Sequence, residues 1–115
     1  MSEIGQKLID ETRKVAEANP RFVYDEAACR YVKNGKPSCL IGHALWNLGL
    51  INEGFEVNNS NAIVAWSVLR DLGVKVSCYE EDWLSCAQSS QDSEQSWGRA
   101  VTHADEEAGE LYEVD

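Results

Sequence analysis

The residues with the most evident chemical potential in this sequence are a cysteine and a histidine in the segment PSCLIGHAL, positions 37–45. If the segment is helical, the side chains of Cys39 and His43 lie one turn apart on the same face. A thiolate and an imidazole at this spacing can bind zinc, or the imidazole can activate the thiol as a nucleophile. The sequence therefore raises two chemical alternatives, a metal site and a thiol enzyme.

A zinc site would combine Cys39 and His43 with Cys29, which lies ten residues before Cys39. Three further residues could supply a fourth ligand: Cys78, Cys86 and His103. However, the sequence contains no C-x2-C pair, the commonest spacing in structural zinc sites. We therefore expect no metal and no other cofactor, and we expect the cysteines to be reduced and to pack as small apolar residues.

A thiol enzyme would use Cys39 as its nucleophile and His43 as its base, because the first turn of a helix favours a thiolate. The sequence offers no identifiable residue to orient the histidine and no Gly-rich oxyanion element. The common phosphate-binding, dinucleotide-binding, zinc-protease and serine-hydrolase motifs are also absent. We therefore predict that the protein is not an enzyme, with a Cys39/His43 thiol activity as the alternative.

Helical periodicity and capping residues predict four helices that would position these side chains. The helices extend between Ser2 and Asn19, from Ser38 to Leu48, from Asn61 to Leu72, and from Cys78 to about residue 105. Gly49 and Gly73 follow the second and third helices, where glycine commonly ends a helix. Ser77 and Glu80 form a capping-box pattern before the last one.

The last predicted helix carries a stripe that is apolar at both ends, at Trp83 and at Trp97, and polar in its middle. The polar segment SSQDSEQS (89–96) is either the exposed middle of one long helix or a loop between two. No proline or glycine occurs before Gly98, and the helical phase continues across the segment. On these grounds we favour a single helix.

Two short segments have strand composition, residues 21–24 and 29–33, and Asn34-Gly35 is a common hairpin turn. The sequence therefore predicts a mostly helical α+β fold. In it, about four helices pack with a small two- or three-stranded antiparallel sheet near residues 22–33. Residues 1–115 are expected to form one globular domain, with a frayed acidic tail over about residues 106–115.

A helical wheel of the second helix separates an apolar stripe from the candidate chemical residues. The stripe contains Leu40, Ile41, Ala44, Leu45 and Leu48. Cys39, His43 and Trp46 lie on the opposite side. Because aromatic residues outside a core are enriched at interfaces, we predict an interaction face made of Cys39, His43 and Trp46 together with Trp83 and Trp97. The alternative is that the small sheet of the same chain covers this side of the helix.

The net charge of −10 is unevenly distributed, with +1 over residues 1–49 and −11 over residues 50–115. Such an acidic field opposes binding to nucleic acid and to anionic membranes, and it favours basic partners. The first residues lack a secretory pattern, and no apolar run approaches the roughly 18 residues of a membrane span. We therefore expect a cytoplasmic protein that binds neither nucleic acid nor membrane.

Two stretches resemble small acidic accessory proteins of actinobacteriophages, such as mycobacteriophages. They are CRYVKNGKPSCLIGHALWNLGL (29–50) and W-L-x3-Q-x2-Q-D-x3-S-W-G-x-A-V (83–101). The resemblance implies expression in an infected bacterium and action on a host protein, but no catalytic residues. We therefore expect a non-enzymatic protein that binds a host factor in the host cytoplasm, either as a monomer or as a homodimer. The alternatives are a nucleic-acid mimic that occupies a basic host protein and a zinc-stabilised module.

Overall fold

Five helices and one β-hairpin form the part of the chain that the computed structural model describes, residues 3–24, 30–54 and 65–111. The helices are α1 (Glu3–Ala18), α2 (Leu40–Asn47), α3 (Ala65–Asp71), α4 (Cys78–Asp92) and α5 (Trp97–Leu111). The strands are β1 (Val32–Lys33) and β2 (Lys36–Pro37), which pair antiparallel. The predicted α+β class is confirmed, with five helices where about four were expected.

Three predicted helix boundaries agree with the structure. Ser77 caps α4 and forms a reciprocal capping box with Glu80. Gly49 and Gly73 follow α2 and α3 with positive φ angles of 75° and 73°. At Gly49 the two hydrogen bonds of a Schellman motif are present, because Leu50 N donates to Leu45 O and Gly49 N donates to Trp46 O, both at 2.9 Å.

The β-hairpin lies slightly later in the chain than residues 22–33. Asn34 and Gly35 form its turn with φ angles of 55° and 74°, as their composition predicts. The second strand therefore contains Pro37, and α2 begins later, with Cys39 as its N-cap. Val23, which the sequence placed in a strand, instead makes an isolated antiparallel bridge to Ser96.

The single long helix favoured for residues 78–105 is wrong, because α4 ends at Asp92 and α5 begins at Trp97. Glu94 has a φ of 65°. Gln95 N donates to Ser90 O at 3.2 Å and Glu94 N to Gln91 O at 3.1 Å, which is again a Schellman motif. In one continuous helix Trp83 and Asp105 would lie about 33 Å apart along the axis, whereas the turn brings them within hydrogen-bond distance. The reversal lets α5 pack back against α4. We call these two helices and their turn, residues 78–111, the acidic hairpin.

The polar middle of the predicted stripe is partly buried. Gln91 is fully buried, and its Oε1 accepts a hydrogen bond of 2.7 Å from Leu40 N, in the first turn of α2. Gln88 is buried one turn earlier, and its Nε2 donates to the hydroxyl of Tyr31 just before β1. Both amides satisfy polar groups that would otherwise be buried without partners. Gln91 and Gln88 thus position α2 and the β-hairpin on α4.

A tertiary clamp joins α1 to the acidic hairpin. Arg13 donates two hydrogen bonds to the carboxylate of Asp105, with N–O distances of 2.7 and 2.6 Å. The indole Nε1 of Trp83 donates to the same carboxylate at 2.8 Å, and the Arg13 guanidinium carbon lies 5.2 Å from the Trp83 ring centroid. Arginine and indole together lower the pKa of Asp105 below its ordinary value, with the Arg13 hydrogen bond as the largest cause.

The third helix is described only from Ala65, so the first part of the predicted helix 61–72 lies outside the described residues. Val68 and Leu69 on α3 are buried in the core. At the other end of the chain, α5 continues to Leu111, and residues 112–115 of the predicted tail lie outside the described residues.

None of the helices within the described ranges has the length and apolar character needed to cross a bilayer.

Replacing Glu94 by glycine is expected to stabilise the protein by about 1 kcal/mol, because glycine adopts a positive φ without the steric cost of a Cβ atom. The free energy of unfolding from urea denaturation measures the effect. Gln95→Gly, next to the left-handed residue, is the matched control and should not stabilise. In a continuous helix Glu94→Gly would instead destabilise by about 1 kcal/mol, so the sign distinguishes the two structures.

The Asp105→Asn variant is expected to lose about 1 kcal/mol of stability at pH 7, a value kept small because both charged partners are about 40% exposed. Its thermal midpoint should fall by about 4 °C. Because the folded-state pKa of Asp105 is lowered, the wild-type advantage is present at neutral pH and disappears as the pH falls below the ordinary aspartate range.

Glu106→Gln, which removes the neighbouring charge from an exposed position, is the control for Asp105→Asn. We expect its thermal midpoint to stay within about 1 °C of the wild type. Equal losses in both variants, or a wild-type advantage that persists at about pH 2, would show that the clamp does not stabilise the fold.

Candidate functional site

Cys39 and His43 are adjacent, but they do not form a nucleophile–base pair. Cys39 is fully buried, and its Sγ accepts a hydrogen bond from Gly42 N at 3.4 Å as the N-cap of α2. The ring of His43 bonds elsewhere, because its Nδ1 donates to the backbone carbonyl of Cys39 at 2.9 Å. The thiol is therefore a capping and packing group, and the imidazole is fixed by a peptide oxygen.

The face of α2 that carries Cys39 and His43 is covered by the chain itself. A Cβ atom at Gly42 would overlap the backbone of Tyr31, so the absence of a side chain there lets the β-hairpin approach α2. Cys39 N donates to Arg30 O at 2.9 Å, which fixes the same approach. On the other flank the ring of His43 packs edge-on against Trp97, with centroids 5.3 Å apart.

The predicted interaction face does not exist as a surface. Cys39 and Trp83 are fully buried, and Trp97 is only 3% exposed. His43 and Trp46 are half-buried, and Trp46 packs on the core. The β-hairpin covers this side, as the alternative interpretation allowed, but the contribution of α5 could not be anticipated once residues 78–105 were taken as one helix.

The predicted metal cluster receives no support from the described residues, where no group of three or more His, Cys, Asp or Glu side chains could hold a metal ion. Cys29, one of the three predicted ligands, lies outside the described residues. Among the other cysteines, Cys78 is exposed and Cys86 is half-buried, and both are free thiols.

A polar cavity of about 350 Å³ lies between the second half of α4 and the outer face of α5. It is lined by Ser89, Ser90, Ser93, Gln95, Arg99, Thr102, His103 and Glu106. Its size suits a small organic group rather than a macromolecular segment. We call it the serine cavity. It exists only because α5 folds back on α4.

Three side chains contact one another in succession at the wall of the serine cavity. The hydroxyl of Ser90 on α4 is hydrogen-bonded to Nδ1 of His103 on α5. The Nε2 of His103 lies 3.3 Å from Oε1 of Glu107, four residues later on the same helix. Ser90 is almost buried, whereas His103 and Glu107 are about half exposed. The arrangement places a hydroxyl, an imidazole and a carboxylate in series.

The sequence analysis considered His103 only as a possible zinc ligand and did not identify Ser90 or Glu107 as site residues. One local signal was present, because His103 and Glu107 have the i, i+4 spacing of neighbours on a helix. The contact with Ser90 crosses between helices. It could not be inferred once the two helices were taken as one.

The three described cysteines are expected to react with iodoacetamide in the order Cys78, then Cys86, then Cys39. Cys78 is exposed and Cys39 is fully buried. Burial, together with the negative charges of Glu107 and Asp82, raises the pKa of Cys86, so less of its reactive thiolate is present near pH 8. Peptide mass spectrometry over time measures the order. Labelling of Cys39 as fast as that of Cys78 would restore the thiol-enzyme alternative.

Comparison with known proteins provides no relative for this chain: no protein-family model, no curated protein and no solved structure matches it. The resemblance to actinobacteriophage accessory proteins therefore stays a prediction. The functional argument depends on the geometry and charge of the described residues.

Proposed function

We propose that this chain acts by binding a basic protein through the outer surface of the acidic hairpin. The observation that carries the proposal is the concentration of charge there: residues 78–111 contain nine carboxylates and one arginine, and five of these carboxylates are exposed, whereas Glu80 is buried. A surface of one sign raises the association rate with an oppositely charged partner and disfavours other partners. The role requires no catalytic step.

The orientation of the hairpin residues supports this proposal. Trp83, Leu84, Trp97 and Ala100 face the core. The exposed carboxylates lie at the turn and along the outer face of α5, at Asp92, Glu94, Asp105, Glu106 and Glu107. The hairpin thus presents negative charge outward on a rigid pair of packed helices. Asp105 is partly neutralised by Arg13, so the turn and the remaining outer face carry most of the field.

The expected partner is a bacterial host factor in the host cytoplasm, which the resemblance to phage accessory proteins suggests. A basic surface on that factor would match the hairpin by charge complementarity. A factor whose basic surface normally binds nucleic acid would make the chain a mimic, because carboxylates would then occupy the positions of phosphates.

Charge reversal on the hairpin is the test. The double variant Glu94→Lys/Glu106→Lys and the wild type are immobilised, and protein retained from an actinobacterial lysate is identified by mass spectrometry. We expect the variant to retain the wild-type partner at least about 10-fold less well. Retention by the wild type should also fall steeply between about 0.05 M and about 0.5 M salt, because screening shortens the range of the field.

The matched control is Asp10→Lys/Glu17→Lys, which makes the same change in net charge on the exposed side of α1. It should retain the partner as the wild type does. Equal loss in both double variants would indicate a nonspecific charge effect, and retention that salt does not change would contradict the proposal. Added duplex DNA that displaces the captured partner would identify the chain as a nucleic-acid mimic.

A further inference from the structure

We propose that Ser90 is an activated nucleophile that accepts the acyl group of small neutral carboxylic esters, with His103 as its base and Glu107 as a positioning residue. This activity is distinct from protein binding, because it depends on the chemistry of Ser90 and His103 and not on the net charge of the hairpin, although Glu106 and Glu107 belong to both sites. A serine nucleophile is recognised by a base within hydrogen-bond reach and a third group that orients the base. The acidic hairpin contains all three.

The two contacts of the imidazole indicate which nitrogen of His103 can accept a proton. Glu107 lies 3.3 Å from Nε2, so its carboxylate favours the tautomer in which Nε2 carries the hydrogen. Nδ1 then has a lone pair directed at the hydroxyl of Ser90, to which it is hydrogen-bonded. In this arrangement Ser90 donates its proton to His103, as general-base activation of a serine requires.

The surroundings of Ser90 favour a small and uncharged substrate. The cavity of about 350 Å³ has room for a short acyl chain. Glu106 lines it and Glu107 lies behind His103, so an anionic substrate would be repelled. Arg99 and Gln95 also line the cavity, and their N–H groups are the available donors for a negatively charged oxygen that develops on the carbonyl.

The reaction has two balanced steps. In the first, Ser90 Oγ forms a bond to the acyl carbon and the ester C–O bond breaks. The Ser90 proton passes to His103 Nδ1 and from there to the departing alcohol. In the second, water attacks the acyl carbon, His103 takes a proton from the water, and Ser90 Oγ leaves with that proton. The net change is ester and water to carboxylic acid and alcohol, without an oxidant or a metal.

Two neighbouring serines provide an internal comparison. Ser89 and Ser93 line the same cavity, but the hydroxyl of Ser93 donates to the backbone carbonyl of Ser89 at 3.0 Å. Within the described residues neither Ser89 nor Ser93 is hydrogen-bonded to an imidazole, whereas Ser90 is. If reactivity depends on His103, Ser90 should therefore react faster than Ser89 and Ser93.

The experiment exposes the purified full chain to a fluorophosphonate, a probe that labels activated serines, and maps the modified peptide by mass spectrometry. We expect one label per chain, on Ser90. Ser90→Ala should abolish labelling, whereas Ser89→Ala and Ser93→Ala should keep the wild-type rate. His103→Ala should slow labelling about 100-fold, the usual contribution of a general base.

Two further measurements separate chemistry from structure. Imidazole added to the His103→Ala variant should restore part of the labelling rate, which a purely structural role of His103 would not predict. Glu107→Gln should slow labelling about 10-fold while the thermal midpoint stays within about 1 °C, because an exposed carboxylate contributes little to stability. Hydrolysis of p-nitrophenyl acetate by the wild type and by Ser90→Ala then tests turnover.

Label distributed equally over Ser89, Ser90 and Ser93, or a Ser90 rate that does not change in His103→Ala, would overturn the proposal. If Ser90 is labelled but the wild type hydrolyses the ester no faster than Ser90→Ala does, Ser90 is a reactive serine without turnover. That result would contradict the proposed ester hydrolysis. These measurements use the isolated protein, so their outcome does not depend on whether a basic partner is found.

Discussion

The reversal of the chain at Ser93–Ser96 is the constraint on which the rest of the structure depends. It places Trp83 beside Asp105, Ser90 beside His103, and Trp97 over His43. The first two of these contacts join residues that a continuous helix would hold apart. The reversal is made by a Schellman motif with glutamate at the left-handed position, where glycine is usual. The fold therefore accepts a local steric cost of about 1 kcal/mol so that two apolar stripes can share one core.

Buried polar side chains on α4 connect the hairpin to the other elements. Gln91 accepts from the first turn of α2, and Gln88 donates to Tyr31 beside β1. Glu80 is also fully buried, and its Oε1 accepts from Ser77 N in the capping box. Such groups specify a unique arrangement, because moving α2 or the β-hairpin would leave buried polar atoms without partners. This explains how a helix with few large apolar residues is packed in the centre of the molecule.

The two proposals concern overlapping parts of the same hairpin, because Glu106 lines the serine cavity and Glu107 contacts His103, and both are also exposed carboxylates of the outer face. The turn and the outer face of α5 present carboxylates to solvent, and charge complementarity acts there over the distance of the Debye length. The serine cavity is a short-range site in which a hydroxyl is hydrogen-bonded to an imidazole and a carboxylate lies 3.3 Å from the other ring nitrogen. By contrast, the Cys39/His43 pair lies inside the fold and serves to cap and pack α2. Cys39 and His43, the residues that first indicated chemistry, thus have structural roles.

Local interactions made much of the fold predictable from the sequence by itself. The α+β class, the capping box at Ser77, the Asn34-Gly35 turn and the glycine that ends α2 all depend on residues close together in the chain. The break after Asp92 was missed because glutamate does not signal a helix end. The burial of Cys39, Trp83 and Trp97, and the contact between Ser90 and His103, were decided only by the tertiary structure. Periodicity indicates which side chains share a face of one element, but which other element covers that face depends on how the chain folds back on itself.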